Sequence, residues 1–600
     1  MKKHLKQLDL KRIRITDSLF GEYVNKVSEK IIPHQWKILN DQLEDSEPTY
    51  CIHNFRIAAG EEKGERKGVV FQDTDLYKWL ESVAYTIAGG RGENLEELAD
   101  EVIDLIGKAQ EPDGYLNTYF SINAPTKKWT NLVEGHELYT AGHMIEAAVA
   151  YYQATGKEKF LNIARKNADL ICRVFGTGEG QKRGYPGHQE IELALVKLYR
   201  VTGERAYLHQ AEYFIRERGR NPNYLQAEIE GRGHPEFFPE FERYDLEYSA
   251  HKPPVEQDEA VGHAVREMYM CSAMADLAGE NDDQQLKDAC QRIWNNMTDR
   301  RMYITGGIGS SGFRERFTTD YDLPNSTNYS ETCASIGVMM FGQRMAAITG
   351  DASYYDYVEK ALYNTVIARI NIAGDRYFYV NPLEVVPEFC TEHTYMEHVK
   401  PVRQKWFGVA CCPPNVGRTL ASLGQYIYAE DEYGVYINQF ISSTADTEVR
   451  ESRLKIKMNS TLLQDGKVQL QVQSSGPGIL NIRIPWYSEK CECVQNGISI
   501  EIQPEKGYQR LSISPGDTYI SLDFHVSPRW MGANNGVRAD AGKAASYKGI
   551  RVRNKGAAGE NQLYGNVELE KEEVSLQAVP YCMWNNRGEG EMLVWHKLRV

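Results

Sequence analysis

The chain has 600 residues, 42% hydrophobic and 25% charged, a composition typical of a globular protein with two to four structural units. Its formal net charge of −14 makes binding to nucleic acid or to an anionic membrane surface unfavourable, whereas a neutral sugar is indifferent to that charge. The 37 tyrosines and 9 tryptophans suit either a carbohydrate-binding surface or large aromatic cores, and composition does not choose between them.

The N-terminal segment is basic but contains neither the apolar stretch nor the small-residue cleavage site of a signal peptide. Without a run of about 18 apolar residues, the sequence predicts no membrane-spanning helix. Eleven cysteines without a secretory signal favour free thiols or metal ligands over disulfides. We therefore expect a cytoplasmic location, and we assign residues 1–30 to an N-terminal segment whose stretch Leu8–Ile15 adds a strand to a β-sandwich.

Residues 31–428 repeat one pattern four times: an Ala-rich apolar helix ends at a Thr-Gly or Ala-Gly pair, and a second, amphipathic helix follows. Stacked helix pairs bury their apolar faces against neighbours, and a closed ring of pairs gathers one set of helix ends around a central pit. Three of the first helices begin with Gly-His, which would bring His136, His188 and His263 together there. The alternative for each is a histidine satisfied by backbone at a helix start.

The pattern changes after residue 429, where six stretches alternate apolar and polar residues between turn signals. They are Val435–Phe440, Leu454–Met458, Val468–Val472, Ile479–Ile484, Leu511–Ile513 and Tyr519–Val526. We assign residues 429–536 to a β-sandwich and residues 537–575 to a shortened, weakly patterned second β-module. Residues 576–600 are assigned to C-terminal strands that return to the sandwich.

Two adjacent cysteines, Cys411 and Cys412, stand directly before Pro413 and Pro414, where a helix should begin because proline is favoured in the first turn. Free N–H groups and the helix dipole lower the pKa of a thiol at that position. Two adjacent thiolates would repel each other unless a cation neutralised them, which points to a metal. The alternative is that these cysteines are small buried hydrophobes.

Further ligand atoms come from Glu331 and Cys333, at the start of another predicted helix for which Ser330 is the expected N-cap. With the two adjacent cysteines they form a set of one carboxylate and three thiolates, which zinc accepts in tetrahedral geometry. The spacing differs from that of paired CxxC motifs, so it does not single out zinc by itself. Glu315, which lies between two arginines, is either a solvated salt-bridge residue or a general acid/base near the thiolates.

These residues lie in motifs that resemble glycoside hydrolase family 127, the β-L-arabinofuranosidases, over residues 28–540 and again at 580–592. The motifs are, in chain order, Val70–Leu80, His136–Tyr139, Gly187–Leu193, Gly262–Arg266, Arg301–Gly309, Asp320–Asn325, Glu331–Ser335, Tyr379–Asn381 and Cys411–Pro413. Several long motifs in the same order make the resemblance far more specific than any one of them.

The resemblance implies a mostly α fold with β, in which an (α/α)6 barrel catalytic domain over residues 31–428 is followed by β-sandwich modules. It implies a retaining exo-glycosidase that hydrolyses β-linked L-arabinofuranosides, with Cys411 as nucleophile and Glu315 as general acid/base. The implied cofactor is Zn²⁺, and its implied ligands are Glu331, Cys333, Cys411 and Cys412. The implied sugar-contacting residues are His136, His188, His263 and Tyr379.

The implied partner is a small carbohydrate, and a homodimer is compatible with the resemblance because family members pair through β-modules. Residues 537–575 depart from the family, in which a longer module follows. Other functions stay open: a glycosidase for another unusual sugar, a zinc hydrolase that activates water, a sugar epimerase that uses the histidines, and a non-catalytic carbohydrate-binding protein. A metal that activates water needs an open coordination position, which four protein ligands would fill.

Overall fold

The computed structural model describes residues 4–92, 94–238, 244–558, 562–563, 567–569, 572–574 and 578–597. Its α-helices are, in chain order, α1 (Ser18–Lys26), α2 (Ile32–Leu39), α3 (Cys51–Ala58), α4 (Asp73–Ala88), α5 (Leu95–Ala109), α6 (Thr118–Ile122), α7 (Glu137–Thr155), α8 (Lys159–Val174), α9 (Ile191–Thr202), α10 (Arg205–Glu217), α11 (Tyr224–Arg232), α12 (Tyr244–Glu247), α13 (Ala264–Asn281), α14 (Gln284–Arg300), α15 (Thr332–Thr349), α16 (Ser353–Ala361), α17 (Cys412–Ala421) and α18 (Leu462–Asp465). None of these helices is long and apolar enough to cross a membrane.

Most of the strands follow the helices in the chain. They are β1 (Lys6–Gln7), β2 (Ile13–Ile15), β3 (Glu384–Val385), β4 (Tyr428–Glu430), β5 (Val435–Ile437), β6 (Ser443–Val449), β7 (Ser452–Ser460), β8 (Lys467–Ser474), β9 (Gly478–Arg483), β10 (Glu492–Gln495), β11 (Ile498–Ile500), β12 (Tyr508–Ile513), β13 (Gly516–Asp523), β14 (Pro528–Gly532), β15 (Lys543–Lys548), β16 (Arg551–Ala558), β17 (Gln562–Leu563), β18 (Val567–Leu569), β19 (Glu572–Val574), β20 (Val579–Pro580), β21 (Met592–Leu593) and β22 (His596–Lys597). All six stretches expected to form strands overlap these elements.

The chain forms two compact units, and each is built from separate stretches of sequence. Unit 1 comprises residues 1–26, 300–404 and 422–600, and unit 2 comprises residues 27–299 and 405–421. Residues 300–404 therefore cluster with the sheets, although the sequence pattern places them inside one continuous helical domain. The reason is that part of this stretch pairs with the C-terminal strands, since β3 is hydrogen-bonded to β21.

Unit 2 consists of helix pairs in which one helix is almost completely buried and the next is amphipathic. The buried helices are α4, α7, α9, α13 and α17. Helix α17 packs against α4, α4 against α7, α7 against α9, and α9 against α13. Small residues allow the close approach: a Cβ at Gly142 on α7 would lie 2.9 Å from the backbone nitrogen of Ile191 on α9.

Unit 1 contains one further pair of this kind, the buried helix α15 and its amphipathic partner α16. Five buried helices, each followed by an amphipathic partner, and the sixth buried helix α17 are the repeating elements of an (α/α)6 barrel, and the β-sandwich follows them in the chain. The predicted fold class, mostly α with an (α/α)6 barrel followed by β-sandwich modules, is confirmed.

The β-sandwich of unit 1 has a five-stranded sheet in the order β1-β4-β5-β9-β12 and a seven-stranded sheet in the order β11-β10-β13-β8-β7-β6-β2. Strands β7 and β8 alternate buried and exposed residues throughout, which leaves the outer face of the seven-stranded sheet polar. The N-terminal segment supplies an edge strand to each sheet, because β1 pairs with β4 and β2 with β6.

A third sheet has the order β14-β15-β16-β21-β3, and β20 and β22 also pair with its strands. The C-terminal strands therefore join this sheet and not either sheet of the sandwich. The shortened second module predicted over residues 537–575 contributes β15 and β16, whereas its residues 559–561, 564–566, 570–571 and 575 lie outside the described residues.

A single buried cation connects the inner helices of unit 2. Arg418 on α17 donates to Glu81 on α4 and to Glu146 on α7, both at 2.7 Å. It also donates to the hydroxyl of Tyr269 on α13 at 3.2 Å, and Lys197 on α9 pairs with Glu146. One guanidinium and one ammonium therefore hold two buried carboxylates and link all five inner helices of this unit.

Replacing Arg418 with methionine keeps much of the side-chain volume but leaves Glu81 and Glu146 without their shared cation. We expect a loss of about 3–5 kcal/mol in the free energy of unfolding, because buried Glu81 is left without a cation and buried Glu146 keeps only Lys197. Urea denaturation followed by circular dichroism measures this loss. Arg453→Met is the control, since Arg453 binds Asp446 at 2.7 Å on an exposed sheet face and its loss should barely move the midpoint. Equal midpoints for the two variants would contradict the proposed role of Arg418.

Candidate functional site

Three histidines meet at the starts of buried helices in unit 2. The ring centroids of His136 and His188 lie 5.7 Å apart, and those of His188 and His263 lie 5.6 Å apart. His136 and His263 are the N-cap residues of α7 and α13, and His188 lies three residues before α9. The structure therefore brings together the three histidines that the Gly-His pattern selected.

Hydrogen bonds to the backbone fix the tautomers of these rings. Nδ1 of His136 donates to the Glu134 carbonyl at 2.5 Å, and Nδ1 of His188 donates to the Gln189 carbonyl at 2.9 Å. Nδ1 of His263 instead accepts from a backbone N–H at 3.2 Å. A neutral ring whose Nδ1 donates has an acceptor at Nε2, and a ring whose Nδ1 accepts has a donor there. The three rings therefore offer both hydrogen-bond donors and hydrogen-bond acceptors to a sugar hydroxyl.

Two of these rings, those of His136 and His188, are unfavourable places for a positive charge. Burial and then the charge of Arg266 lower the pKa of His136 to about 3, and the same two causes lower the pKa of His188 well below its usual value. Aromatic rings surround them: Phe71 lies 4.6 Å from His136 and Tyr139 lies 4.3 Å from His188, between centroids. Neutral imidazoles at these two positions, beside aromatic faces, suit an uncharged sugar.

The two adjacent cysteines mark the start of α17, also in unit 2. Helix α17 begins at Cys412, and Cys411 directly precedes it. Their sulfur atoms lie 3.8 Å apart; Cys412 is buried and Cys411 is partly exposed. The expected position at a helix start is therefore observed, and backbone N–H groups at that start favour an ionised thiol.

Glu331 and Cys333 lie at the start of α15 in unit 1. The N-cap is Glu331 and not Ser330, because the helix begins at Thr332, one residue later than expected. Glu331 therefore has extended backbone angles, φ −56° and ψ 139°, which frees its side chain from the helical direction. A carboxylate oxygen of Glu331 lies within 4.8 Å of the Cys333 sulfur, so the two ligand atoms converge despite their i, i+2 spacing.

Glu315 lies in the same unit, in a turn with unusual backbone angles. Arg314 and Glu315 have φ of 55° and 56°, a region that non-glycine residues seldom occupy. The Tyr329 hydroxyl donates to Oε1 of Glu315 at 2.7 Å, and a carboxylate oxygen of Glu315 lies within 4.8 Å of one on Glu331. Glu315 is therefore not a freely solvated salt-bridge residue, since a tyrosine orients it beside a second carboxylate.

Tyr379 lies next to Tyr329, the residue that orients Glu315. The two tyrosine rings lie 6.1 Å apart, and the Tyr379 carbonyl accepts from the backbone N–H of Thr332 at 3.2 Å. Asn381 donates to the Ser330 carbonyl at 2.8 Å and to the Thr332 hydroxyl at 2.9 Å. The segment that contains Tyr379 is thus hydrogen-bonded to the start of α15.

The donor chemistry can be tested against the metal implied by the motifs. Each of four residues offers one ligand atom, and they are Glu331, Cys333, Cys411 and Cys412. One carboxylate oxygen and three sulfurs are donors that zinc accepts, so the residues fit that ion and can hold a metal.

A second cluster of possible metal ligands in unit 2 contains His143, Glu146 and Glu190. It is a poor metal site because two cationic side chains already pair with Glu146. Although burial opposes ionisation, Lys197 and Arg418 lower the pKa of Glu146 well below its usual value. Burial, followed by the charge of Glu146, raises the pKa of Glu190 well above its usual value. A protonated carboxyl beside a carboxylate that is already paired offers little to a divalent ion.

Sequence reasoning missed two contributors to this arrangement. Tyr329, which orients Glu315, is one of 37 tyrosines, and its only signal was its position just before the Glu331 motif. Arg418 was missed because its partners lie 272 and 337 residues away in sequence. A buried arginine inside an apolar helix is the signal that could have found it.

Comparison with protein families gives three matches that follow one another along the chain. The model described as "Beta-L-arabinofuranosidase, GH127 catalytic domain" matches residues 12–425. The model for the GH127 middle domain matches residues 434–524, and the one for the glycoside hydrolase family 127 C-terminal domain matches residues 528–597.

Individual proteins resemble the chain over nearly its whole length. The non-reducing end β-L-arabinofuranosidase of Bifidobacterium longum subsp. longum is 38% identical over 566 residues, which cover 90% of this chain and 85% of the relative. The crystal structure of Ara127N-Se, a GH127 β-L-arabinofuranosidase from Geobacillus stearothermophilus T6, is 45% identical with a TM-score of 0.92, covering 97% of this chain and 99% of that one. A second solved GH127 β-arabinofuranosidase is 32% identical with a TM-score of 0.88, covering 100% and 98%.

The low pKa of His136 has a measurable consequence for stability. Below the ordinary histidine pKa of 6.5 the unfolded chain binds a proton at this residue, whereas the folded protein does so only near pH 3, so His136 reduces stability as the pH falls. His136→Asn tolerates the left-handed backbone and should make the fall in Tm between about pH 7 and pH 4.5 less steep than in the unmodified protein.

Calorimetry over that pH range measures the slope, and His209→Asn, at an exposed helix position, is the matched control that should not change it. Parallel slopes for the His136 variant and the unmodified protein would mean that this histidine is protonated in the folded state, which would contradict a pKa lowered by burial.

Proposed function

The chain belongs to glycoside hydrolase family 127, and on that premise we propose that it is a retaining exo-glycosidase that removes β-linked L-arabinofuranose from the non-reducing end of its substrates. Family membership and the class of enzyme, a glycoside hydrolase, agree with the prediction from the sequence motifs. The observation that carries the finer proposal is the set of reactive side chains at helix starts: a thiol pair before α17 and a carboxylate–thiol pair at α15.

We propose that one zinc ion binds the ligand set implied by the motifs, namely Glu331, Cys333, Cys411 and Cys412. Bound zinc would keep a coordinated thiol ionised at neutral pH. Four protein ligands fill a tetrahedral shell, which leaves no position for a metal-bound water and disfavours a hydrolase that activates water directly. The nucleophile must then come from the chain itself.

Cys411 is the proposed nucleophile. Burial raises the pKa of the eight cysteines outside the ligand set, which are Cys51, Cys172, Cys271, Cys290, Cys390, Cys491, Cys493 and Cys582. They are therefore thiols at neutral pH and weak nucleophiles. Within the set, Cys333 and Cys412 are buried, whereas Cys411 is partly exposed and precedes a helix. Of these three thiols, only Cys411 is both partly exposed and directly before a helix start.

Glu315 is the proposed general acid/base. In the first step the Cys411 sulfur forms a bond to the anomeric carbon while the bond to the leaving oxygen breaks, and Glu315 gives its proton to that oxygen. In the second step Glu315 takes a proton from water, whose oxygen replaces the sulfur and releases the thiolate. Two inversions give retention of configuration. The hydrogen bond from the Tyr329 hydroxyl to Oε1 orients the carboxyl group of Glu315 for this proton transfer.

The sugar would be held by His136, His188, His263 and Tyr379. The lowered pKa values of His136 and His188 support an uncharged sugar ring, since these imidazoles offer hydrogen bonds without a net charge. The substrate class itself is taken from the relatives, each of which is a β-arabinofuranosidase by name. A glycosidase for another unusual sugar is the alternative within the same family.

We also propose that the protein works in the cytoplasm. The structure has eleven free cysteines, including the adjacent pair, and such a set persists only where thiols are kept reduced. The ligand set would be lost to oxidation elsewhere. A homodimer remains a proposal from the family resemblance.

The first assay compares p-nitrophenyl β-L-arabinofuranoside with its α-anomer, with and without a zinc chelator. We expect release of p-nitrophenol from the β-anomer alone, loss of activity on chelation and recovery with added zinc. Hydrolysis of neither anomer by folded, zinc-loaded protein would contradict the proposed substrate, and activity that survives complete removal of metal would contradict the role of zinc.

Cys411→Ser separates the nucleophile from the other ligands. Because a serine hydroxyl is a far weaker nucleophile than a thiolate, we expect turnover to fall by roughly 10³-fold or more while zinc content, measured by mass spectrometry, is largely kept. Cys172→Ser, at a partly exposed thiol outside the ligand set, is the control and should leave turnover unchanged. A Cys411→Ser enzyme with normal turnover would rule out the covalent mechanism.

Glu315→Gln removes the transferable proton but keeps the shape of the side chain. Turnover should fall by about 10²–10⁴-fold for a poor alkyl leaving group and much less for p-nitrophenol, which departs without protonation. Glu392→Gln, at an exposed position, serves as the matched control. Added azide should restore release of p-nitrophenol and give a β-glycosyl azide. Equal losses on both substrates would assign Glu315 a structural role only.

A further inference from the structure

The outer face of the seven-stranded sheet carries polar side chains in two parallel rows. Backbone pairing aligns Arg14, Thr444, Lys457, Gln471 and Tyr519 in register across five strands. Adjacent strands lie roughly 4.8 Å apart, so this row is roughly 19 Å long.

A second row lies two residues further along the strands and aligns Asp446, Lys455, Gln473 and Asp517. The N-terminal turn with Lys11 and Arg12 forms a wall beside the rows. Wall and rows enclose an open recess of about 610 Å³.

The recess is basic, in contrast to the chain as a whole. Its lining holds five cationic side chains and two acidic ones, whereas the full chain has a net charge of −14. The cations are Lys11, Arg12, Arg14, Lys455 and Lys457. A local excess of positive charge on an acidic protein indicates an anionic ligand, because the rest of the surface repels it and this recess attracts it.

Two of these cations have no salt bridge of their own. The side chains of Lys455 and Lys457 are exposed, and in the described part of the chain neither side chain forms a salt bridge or a hydrogen bond. They stand two residues apart on β7 and so share one face, where like charges repel. Asp446, the acid opposite Lys455, is already bound by Arg453 through both oxygens, at 2.8 and 2.7 Å. An anion placed across the two lysines would relieve this repulsion.

The neighbouring residues match the other parts of a sugar. Gln471 and Gln473 follow the lysines in the two rows, and each amide offers two donors and one acceptor to hydroxyl groups. Tyr519 ends the first row with 56% of its surface exposed, and its hydroxyl accepts from Gln471 at 3.5 Å. An exposed aromatic ring beside amides can pack against the C–H face of a sugar ring.

We propose that this face is a second, non-catalytic binding site for an acidic oligosaccharide, a chain of sugars that carries uronic acid carboxylates. The carboxylates bind Lys455 and Lys457, the hydroxyl groups bind Gln471 and Gln473, and one sugar ring lies on Tyr519. Nucleic acid fits less well, because phosphates would meet an acidic protein everywhere else and only one exposed ring is available to stack on bases. Binding to this face would raise the effective concentration of the enzyme on a polymer that bears its substrate. The site uses none of the residues proposed for catalysis.

The test titrates the full-length protein with a defined oligogalacturonate in a calorimeter, at low and at physiological salt. We expect binding that weakens with salt and that falls roughly tenfold or more in the double variant Lys455→Gln/Lys457→Gln, which loses two charge-assisted contacts. Tyr519→Ala should weaken binding without changing its dependence on salt. Hydrolysis of a small aryl glycoside should stay unchanged in all of these variants, since the face is separate from the proposed catalytic residues.

Controls distinguish a sugar site from simple charge attraction. Lys63→Gln/Lys166→Gln removes the same charge at exposed positions away from this sheet and should keep full affinity. A neutral arabinan oligosaccharide and a single-stranded DNA of equal charge should both bind at least about tenfold more weakly than the oligogalacturonate. No measurable binding of oligogalacturonate, equal affinity for the DNA, or equal losses in the two double variants would overturn the proposal.

Discussion

One buried guanidinium connects four of the five inner helices of unit 2. Arg418 lies on the helix that starts at the adjacent cysteines, and it bonds to carboxylates on α4 and α7 and to a hydroxyl on α13. Helices α7 and α13 begin at two of the clustered histidines. Since a buried ion pair tolerates little displacement, this network fixes the helix starts to one another. The histidine cluster and the cysteine pair are therefore positioned by contacts deep among the helices.

The reactive residues share a second feature, which is their place just outside a regular helix. His136, Glu331 and Cys411 each precede the first helical residue, where side chains are not bound to the helical direction and free N–H groups favour negative charge. Glu315 lies in a turn whose backbone is strained, and a tyrosine hydroxyl holds its carboxylate. A strained turn or a helix end allows side-chain directions that the interior of a helix does not allow. The buried helices behind these positions hold the side chains rigidly.

Electrostatics separates two regions suited to different parts of a carbohydrate. Burial and the charge of Arg266 lower the pKa of His136 and of His188, which suits an uncharged sugar ring. The outer face of the sandwich exposes Lys455 and Lys457 to water, which suits the carboxylates of an acidic chain. Both regions exist on a chain with a net charge of −14, so each depends on local arrangement and not on overall composition.

The sequence alone determined the fold class and the family, and it supplied the candidate site residues. Those depend on local signals: helix periodicity, Gly-His and Cys-Cys-Pro-Pro motifs and alternating strands, all of which act over a few residues. It also placed the cysteine pair at a helix start, and it missed the start of α15 by one residue because Ser330 and Glu331 can both cap a helix. Only the tertiary structure decided that residues 300–404 cluster with the sheets, that the C-terminal strands form a third sheet, and that Tyr329 orients Glu315. The tertiary structure was also needed to reveal the buried hydrogen bonds of Arg418 and the rows of lysine and glutamine on the sandwich. These features arise from contacts between residues far apart in the chain, and no local pattern encodes which distant partner a side chain meets.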